Sequence, residues 1–284
     1  MWFWWSASAG LASALDKILN RISLKGEGRG SVVAYSFSYM LTISILSLFL
    51  SLPVRVLFDL RLFLLIAVQT IFWTLGTLFS FLSQSDTDVS LSTIISRARI
   101  LWMIPLGYLF LGERVGFNSI IGMVIVFFGL ATLFYKKQFH KFRGIQFMIL
   151  GSFFVALGSI LNAILVKNYL TPPQVTFVTM AGQTLTFLSI LIYKKKFIEK
   201  VKHIILKAKF LIISAATIET YAFVGINQAF KLGVASASTA VYLGMTIFTI
   251  LAGIIYLKEK EHIARKIVSS IIVIIGIIIV KVFS

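Results

Sequence analysis

Ten apolar stretches, each close to the length that crosses a bilayer, divide this chain from end to end. They run roughly over residues 2–20, 31–52, 62–83, 88–111, 116–135, 144–168, 174–193, 210–231, 234–257 and 263–283. Crossing the hydrocarbon core takes about 20 apolar residues in a helix. Ten such segments use almost all of the 284 residues and leave only short connections. The composition agrees: 58% of the residues are hydrophobic and 13% are charged, where soluble domains carry roughly 25% charged residues. With a mean hydropathy of +0.96, the chain needs lipid as its solvent. In lipid a backbone donor or acceptor has no water to bind, so each segment must be a helix. The expectation is an all-α membrane protein with ten transmembrane helices, multi-pass in the cell membrane.

The helix breakers fit this map. Pro53 and the pair Pro172-Pro173 fall in connections, and Pro105 falls inside the fourth segment, where it predicts a kink. Trp2, Trp4 and Trp5 suit an interfacial belt. Residues 1–20 lack the basic start of a signal peptide, and Asp16-Lys17 interrupts them. With no cysteine, disulfides, iron–sulfur clusters and thiolate zinc sites are excluded. His140, His203 and His262 are far apart, which argues against a metal site. "KGEGRGS" lacks the lysine and spacing of a phosphate loop. No cofactor is expected, and an ATP-driven pump is not. The net charge of +17 reads as basic loops beside a membrane rather than as a nucleic-acid surface.

The chain also repeats itself. "YLFLGERVGFNSIIGMVIVFFGLATLF" (Tyr108–Phe134) and "IIYLKEKEHIARKIVSSIIVIIGIIIV" (Ile254–Val280) each place a glutamate between two apolar runs. A displacement of 146 residues sets Glu113 over Glu259, Ser13 over Ser159, and Asp16 over Asn162. A displacement of 147 sets Gly122 and Gly129 over Ser269 and Gly276. Five crossings return a chain to the opposite side, so a five-helix repeat must be inverted. The expected organisation is therefore two inverted five-helix repeats, residues 1–140 and 141–284, with a substrate site between them as in many secondary transporters. Glu113 and Glu259 are expected to cap the helix that follows each turn. Gly122, Gly129 and Gly276 are expected to be structural, and Gly10, Gly158, Gly182 and Gly253 to permit close helix packing.

The two copies resemble the signature region of the EamA family within the drug/metabolite transporter superfamily. "LSTIISRARILWMIPLGYLFLGERVGFNSIIGMVIVFFGL" and "ASASTAVYLGMTIFTILAGIIYLKEKEHIARKIVSSIIVIIGI" carry the resemblance. The shared elements are a small, hydroxyl-rich helix entry, a long apolar run, "LFLGE" or "IYLKE", and a glycine seven residues after a small residue. The resemblance implies ten helices in two inverted repeats and transport of small metabolites, often outward. The second copy departs by one inserted residue between Glu259 and Ser269, and it lacks the first glycine.

Charges at bilayer depth are costly and usually face protein or a wet cavity. Here polar side chains avoid the middles of the fifth and tenth segments, which read as outer staves facing lipid or a second copy in a homodimer. The expected cavity residues are Asp16, Gln69, Arg97, Asn162, Gln183, Glu219, Asn227 and Tyr242. Arg97 and Arg99 are two residues apart, about 200° around a helix, so they cannot share a face. Arg97 aligns with Tyr242 and is expected to face it across the cavity; Arg99 is expected to pair or snorkel elsewhere. Two roles stay open for the arginines: an ion pair with Glu219 or Asp16, or contact with a carboxylate or phosphate, which the guanidinium fork favours. Glu219 reads as a proton carrier or as a static partner of an arginine, and Asp16 and Asn162 as helix-to-helix hydrogen-bonding groups.

Connections 1–2, 3–4, 5–6, 7–8 and 9–10 hold eighteen Lys and Arg, and the opposite set, with the C-terminus, holds six. The positive-inside rule then places both termini outside, whereas members of the resembled family are usually drawn with both inside. The leading functional expectation is a secondary transporter, working as an exporter, of a small polar, zwitterionic or anionic metabolite such as an amino acid. A lipid-linked carrier translocase or flippase is the alternative. A scaffold gains nothing from two arginines at mid-depth, and no nucleophile, acid–base pair or metal set marks an enzyme.

Overall fold

A computed structural model describes residues 1–24, 29–52, 59–86, 96, 99–132, 142–192, 197–245, 247–248 and 263–283. Arg97, Glu259 and Gly253 lie outside the described residues. Among those described there are ten helices: α1 (Trp2–Leu24), α2 (Arg29–Ser51), α3 (Leu60–Asp86), α4 (Arg99–Leu111), α5 (Phe117–Thr132), α6 (Phe142–Asn168), α7 (Pro172–Ile192), α8 (Phe197–Leu232), α9 (Ala235–Gly244) and α10 (Ile263–Phe283). Three stretches, Ala34–Ser51, Leu60–Ser80 and Gln146–Asn168, are long and apolar enough to cross a membrane. Arg99–Leu111, Phe117–Gly129 and Ile271–Phe283 are shorter apolar helices. α4 stays helical through Pro105.

Local sequence explains where helices start. Pro172 and Pro173 open α7, where a missing N–H is no loss. The Gln174 side chain turns back to accept from the Thr171 amide at 2.9 Å, the return half of a capping box. The largest departure from the sequence reading is α8. It begins at Phe197, well before residue 210, and bends at Ala208, whose backbone (φ −128°, ψ 16°) is not helical.

Packing pairs distant parts of the chain. α1 lies along α8, α3 along α6, α2 along α7, and α5 along α10. α1 also runs in the same direction as α9, because Trp2 sits against Gly233 while Gly10 sits against the Tyr242 carbonyl and Met245. Glycine makes the α5–α10 crossing tight. A Cβ on Gly276 would stand 2.8 Å from the Gly122 oxygen, and one on Gly129 would stand 3.0 Å from the Val273 nitrogen. The Ser269 hydroxyl donates to the Gly129 carbonyl in the same seam. So the fifth and tenth helices, expected as outer staves, lie against each other. They share one close seam and turn Phe117, Phe128, Ile274 and Ile278 outward.

One end of the bundle collects both termini and two connections. Lys281 lies over the rings of Phe3 and Trp4, at 4.8 and 5.4 Å. Gly116 approaches the Phe283 carbonyl, and the turn before α9 meets the linker between α4 and α5 through Glu113. These elements belong to the connection set that is poor in lysine and arginine.

Candidate functional site

Polar side chains inside this apolar chain gather at four places. The first is an amide network. Gln69 on α3 donates from Nε2 to Asn162 Oδ1 on α6 at 2.7 Å and to the Thr179 hydroxyl on α7. Trp73 Nε1 donates to the same Asn162 oxygen at 3.2 Å. Asn162 Nδ2 donates to Asn227 Oδ1 on α8, and Asn227 Nδ2 donates to Thr176 on α7, each at 3.2 Å. Gln69, Asn162, Asn227, Thr176 and Thr179 are all buried. One hydrogen-bonded path therefore ties four helices together, with Gln69 Oε1 left as a buried acceptor that has no partner. One helical level along, Thr77 donates to Gln183 Oε1 at 3.1 Å.

The second is a carboxylate–tyrosine cluster. Asp16 accepts from Asn20 at 2.8 Å and from the Tyr39 hydroxyl at 2.7 Å. Tyr35 donates to Asn20 and stacks on Tyr39 with ring centroids 6.0 Å apart. Glu219, half-buried on α8, lies within electrostatic reach of Tyr39. Two residues along α8, Tyr221 turns the other way and donates to Ser8 at 3.1 Å.

The third surrounds Tyr242. Every residue of α9 is buried. The Arg99 guanidinium from α4 stands 5.9 Å from the Tyr242 ring centroid, inside the range of a cation–π contact. Glu219 is within electrostatic reach of Arg99 as well. Arg99 Nε is buried without a hydrogen-bond partner, and so are the hydroxyls of Ser238 and Thr239. Those two residues precede Tyr242 by four and three positions, so they share its helix face. The Ser6 hydroxyl on α1 is also unpartnered, and the parallel register of α1 and α9 sets it level with Ser238. The arginine expected at Tyr242 was Arg97. Among the described residues it is Arg99 that lies there. Aligning two repeats identifies positions that correspond, and corresponding positions need not touch.

The fourth is Glu113, and it corrects the expected cap. Glu113 does not serve the helix that follows it. Its carboxylate accepts from the Ala235 amide at 2.5 Å, the Ser236 amide at 3.2 Å and the Ser236 hydroxyl at 2.8 Å. It thus caps α9, whose own N-cap residue, Val234, offers no side-chain hydrogen bond. The physical reason lies in the turn. Gly112 at φ +62° reverses the backbone, the Glu113 amide bonds back to the Gly107 carbonyl at 3.1 Å, and the side chain is aimed across the bundle. Gly107 makes room, since a Cβ there would fall 2.5 Å from Glu113 Oε2. Lys167 at the end of α6 adds an ion pair at 3.9 Å.

Sequence reasoning named Asp16, Gln69, Asn162, Gln183, Glu219, Asn227 and Tyr242. The structure places them in the first three groups above, with Glu219 within electrostatic reach of both the second and the third. It adds Tyr39, Trp73, Thr176, Thr179, Ser238 and Lys167, which sequence reasoning missed. Thr176, Thr179 and Gln183 recur at i, i+3 and i+7, a polar stripe that was available to find. Nothing local announced Lys167, whose partner lies on another linker. Among the described residues, no group of three or more His, Cys, Asp or Glu could hold a metal ion.

Comparison with known proteins bears on what such a bundle does. No curated protein matches the chain. A solved structure titled only "Crystal structure of protein" superposes over 98% of this chain and 99% of its own, with a TM-score of 0.72 and 12% identity, so the fold is shared. Residues 142–282 match the EamA-like transporter family. With apolar helices, buried polar groups and that match, the chain belongs to the EamA-like transporter family of the drug/metabolite transporter superfamily, and it is a membrane transport protein.

Proposed function

We propose that this transporter is a secondary exporter of a small polar, zwitterionic or anionic metabolite such as an amino acid, moved by alternating access through a central cavity in the cell membrane. The observation that carries the reading is the group around Tyr242. A guanidinium donor and two hydroxyls, all buried and all without hydrogen-bond partners, stand on α4 and α9. Unpaired buried polar groups are costly unless something completes them. A carboxylate or phosphate on a substrate would do so, because it accepts from several donors at once. Arg97, Glu219 and Asp16 complete the proposed polar lining; Gln69, Asn162, Asn227 and Gln183 brace it.

The proposed frame is ten membrane-crossing helices in two inverted repeats, residues 1–140 and 141–284. Two kinds of contact support it. Exchanging the halves turns the α1–α8 pair into the α6–α3 pair and leaves the α2–α7 and α5–α10 pairs unchanged. It likewise turns Gly122 against Gly276 into Ser269 against Gly129. The family match over residues 142–282 spans nearly the whole second repeat.

Metabolite pools inside and outside cells with and without the protein test the reading, with Arg99→Ala and Arg97→Ala as variants. The expected result is an external pool that collapses in either variant while the amount of folded protein holds. Pools that do not respond to the protein, or variants that export normally, would defeat it.

A further inference from the structure

The first eleven residues of α8 do not fit a simple membrane crossing. α8 has 36 residues, about 54 Å of helix, where a hydrocarbon core of about 30 Å needs about 20 residues. The bend at Ala208 separates an arm, residues 197–207, from a remainder that alone is long enough to cross. The arm lies at the end of the bundle opposite the α8–α9 turn, in the connection richest in lysine.

Around its axis the arm has three distinct sectors. Val201 and Ile204, with Ala208 at the bend, pack against Ala34, Tyr35 and Tyr39 of α2. About a third of a turn away, Ile198, Ile205 and Leu206 are exposed, two of them by 70% or more. On the remaining sector Glu199, His203 and Lys207 face outward. Lys202 rises from within the apolar sector and lines a shallow recess with Ile198, Val201, Ile205 and Leu206. Lys209, just past the bend, lies over the Phe210 ring at 5.1 Å. A helix with one face on protein, one apolar face and one polar face fits the boundary between acyl chains and headgroups. Lysines whose stems leave an apolar strip can reach upward to phosphates while the stems stay in lipid.

We infer that residues 197–207 form an interfacial arm that lies on the membrane surface and binds anionic phospholipid, with Ile198, Ile205 and Leu206 in the acyl region and Lys202 and Lys209 on headgroup phosphates. The charge of the arm selects the ligand: the exposed groups flanking the apolar strip are mainly cationic, and each lysine near an anionic surface contributes about tenfold or less in affinity. The arm packs on Tyr35 and Tyr39, which hold Asn20 and Asp16. The headgroup layer is thereby coupled to the carboxylate cluster inside the bundle.

The chain has no cysteine, so single cysteines report cleanly. Ile198→Cys and His203→Cys lie about 140° apart around the helix. The full-length protein carrying a spin label at either site would be placed in nanodiscs of phosphatidylcholine alone, or with phosphatidylglycerol added. The expected result is a label at 198 accessible to oxygen, a label at 203 accessible to a water-soluble nickel reagent, and a deeper 198 label when the anionic lipid is present. Lys202→Gln with Lys209→Gln should remove most of that lipid dependence while the 198 label stays apolar. Equal exposure of both labels to water would overturn the inference. So would a 198 label shielded from both reagents, which would mean that protein, including a second copy of this chain, covers the face. A depth identical in the two lipids would overturn the anionic assignment.

Discussion

Asp16 and Asn162 correspond under the 146-residue displacement, and their surroundings differ in an instructive way. Beside Asp16 stand Asn20, Tyr35 and Tyr39. The same displacement puts Val166, Ala181 and Leu185 at those places beside Asn162. The second half has thus no hydrogen-bonding groups on its own neighbouring helix turn and on the facing helix at the matched positions. Asn162 takes partners instead from Gln69 and Trp73 across the halves and from Asn227 on α8, and the residue matched to Trp73 is Glu219. One scaffold therefore supports an acidic, tyrosine-lined site in one place and a neutral amide brace in the other. A carboxylate flanked by hydroxyls and a second carboxylate responds to charge. An amide network with nearly every donor matched resists change.

The sharpest way to break the contrast is to move the charge. Asn162→Asp would put a carboxylate where Gln69 and Asn227 offer amides and no cation, and should cost about 3–5 kcal/mol, the penalty of an unpaired buried charge. Thermal unfolding in detergent would read it, and a variant as stable as the parent would mean that the network is wet or rearranges. Asp16→Asn is the reciprocal change. It should leave stability within about 1 kcal/mol, because an amide oxygen still accepts from Tyr39, yet it should abolish export; retained export would remove Asp16 from the transport machinery.

Smaller effects sharpen the picture. Glu113→Ala removes the cap of α9 and should cost about 2 kcal/mol, the upper range for a lost N-cap. Glu113→Gln should recover part of it by retaining an acceptor oxygen. If both variants melt with the parent, the trans cap contributes nothing. Gly276→Ala forces a Cβ against the Gly122 carbonyl and should cost about 1–3 kcal/mol by overpacking, read as loss of monodisperse protein on size exclusion. Tyr39→Phe, the mildest change, removes one hydrogen bond to Asp16 and should cost about 1.5 kcal/mol. An equal loss from Trp73→Phe, which removes the corresponding donor to Asn162, would put the two regions on the same footing.

Much of the frame was legible because lipid leaves the backbone so few choices. Among the described residues, apolar runs became helices close to the expected places, while Pro172 and Pro173, expected in a connection, instead open α7. The site was legible only as a set of residue types. Asp16, Gln69, Asn162, Asn227 and Tyr242 were identifiable as polar groups in apolar surroundings, but their grouping was not. Arg99 lies over Tyr242, a place that depends on how α4 crosses α9, while Arg97 falls outside the described residues. The early start of α8 escaped notice because lysines interrupt its apolar pattern, and a hydropathy reading sees a connection where the fold has a helix.

By itself the sequence determined that this chain lives in lipid as a set of helices, that its two halves share a pattern, and which rare polar side chains it buries. Those follow from local composition, since each segment's transfer to lipid and its backbone hydrogen bonding are settled within the segment. Tertiary structure alone decided that Glu113 caps a helix more than a hundred residues away, that Gly122 meets Gly276, and that Asn162 is braced while Asp16 is ringed by tyrosines. Contacts of that kind depend on the angle and depth at which finished helices cross, and no single segment encodes a crossing.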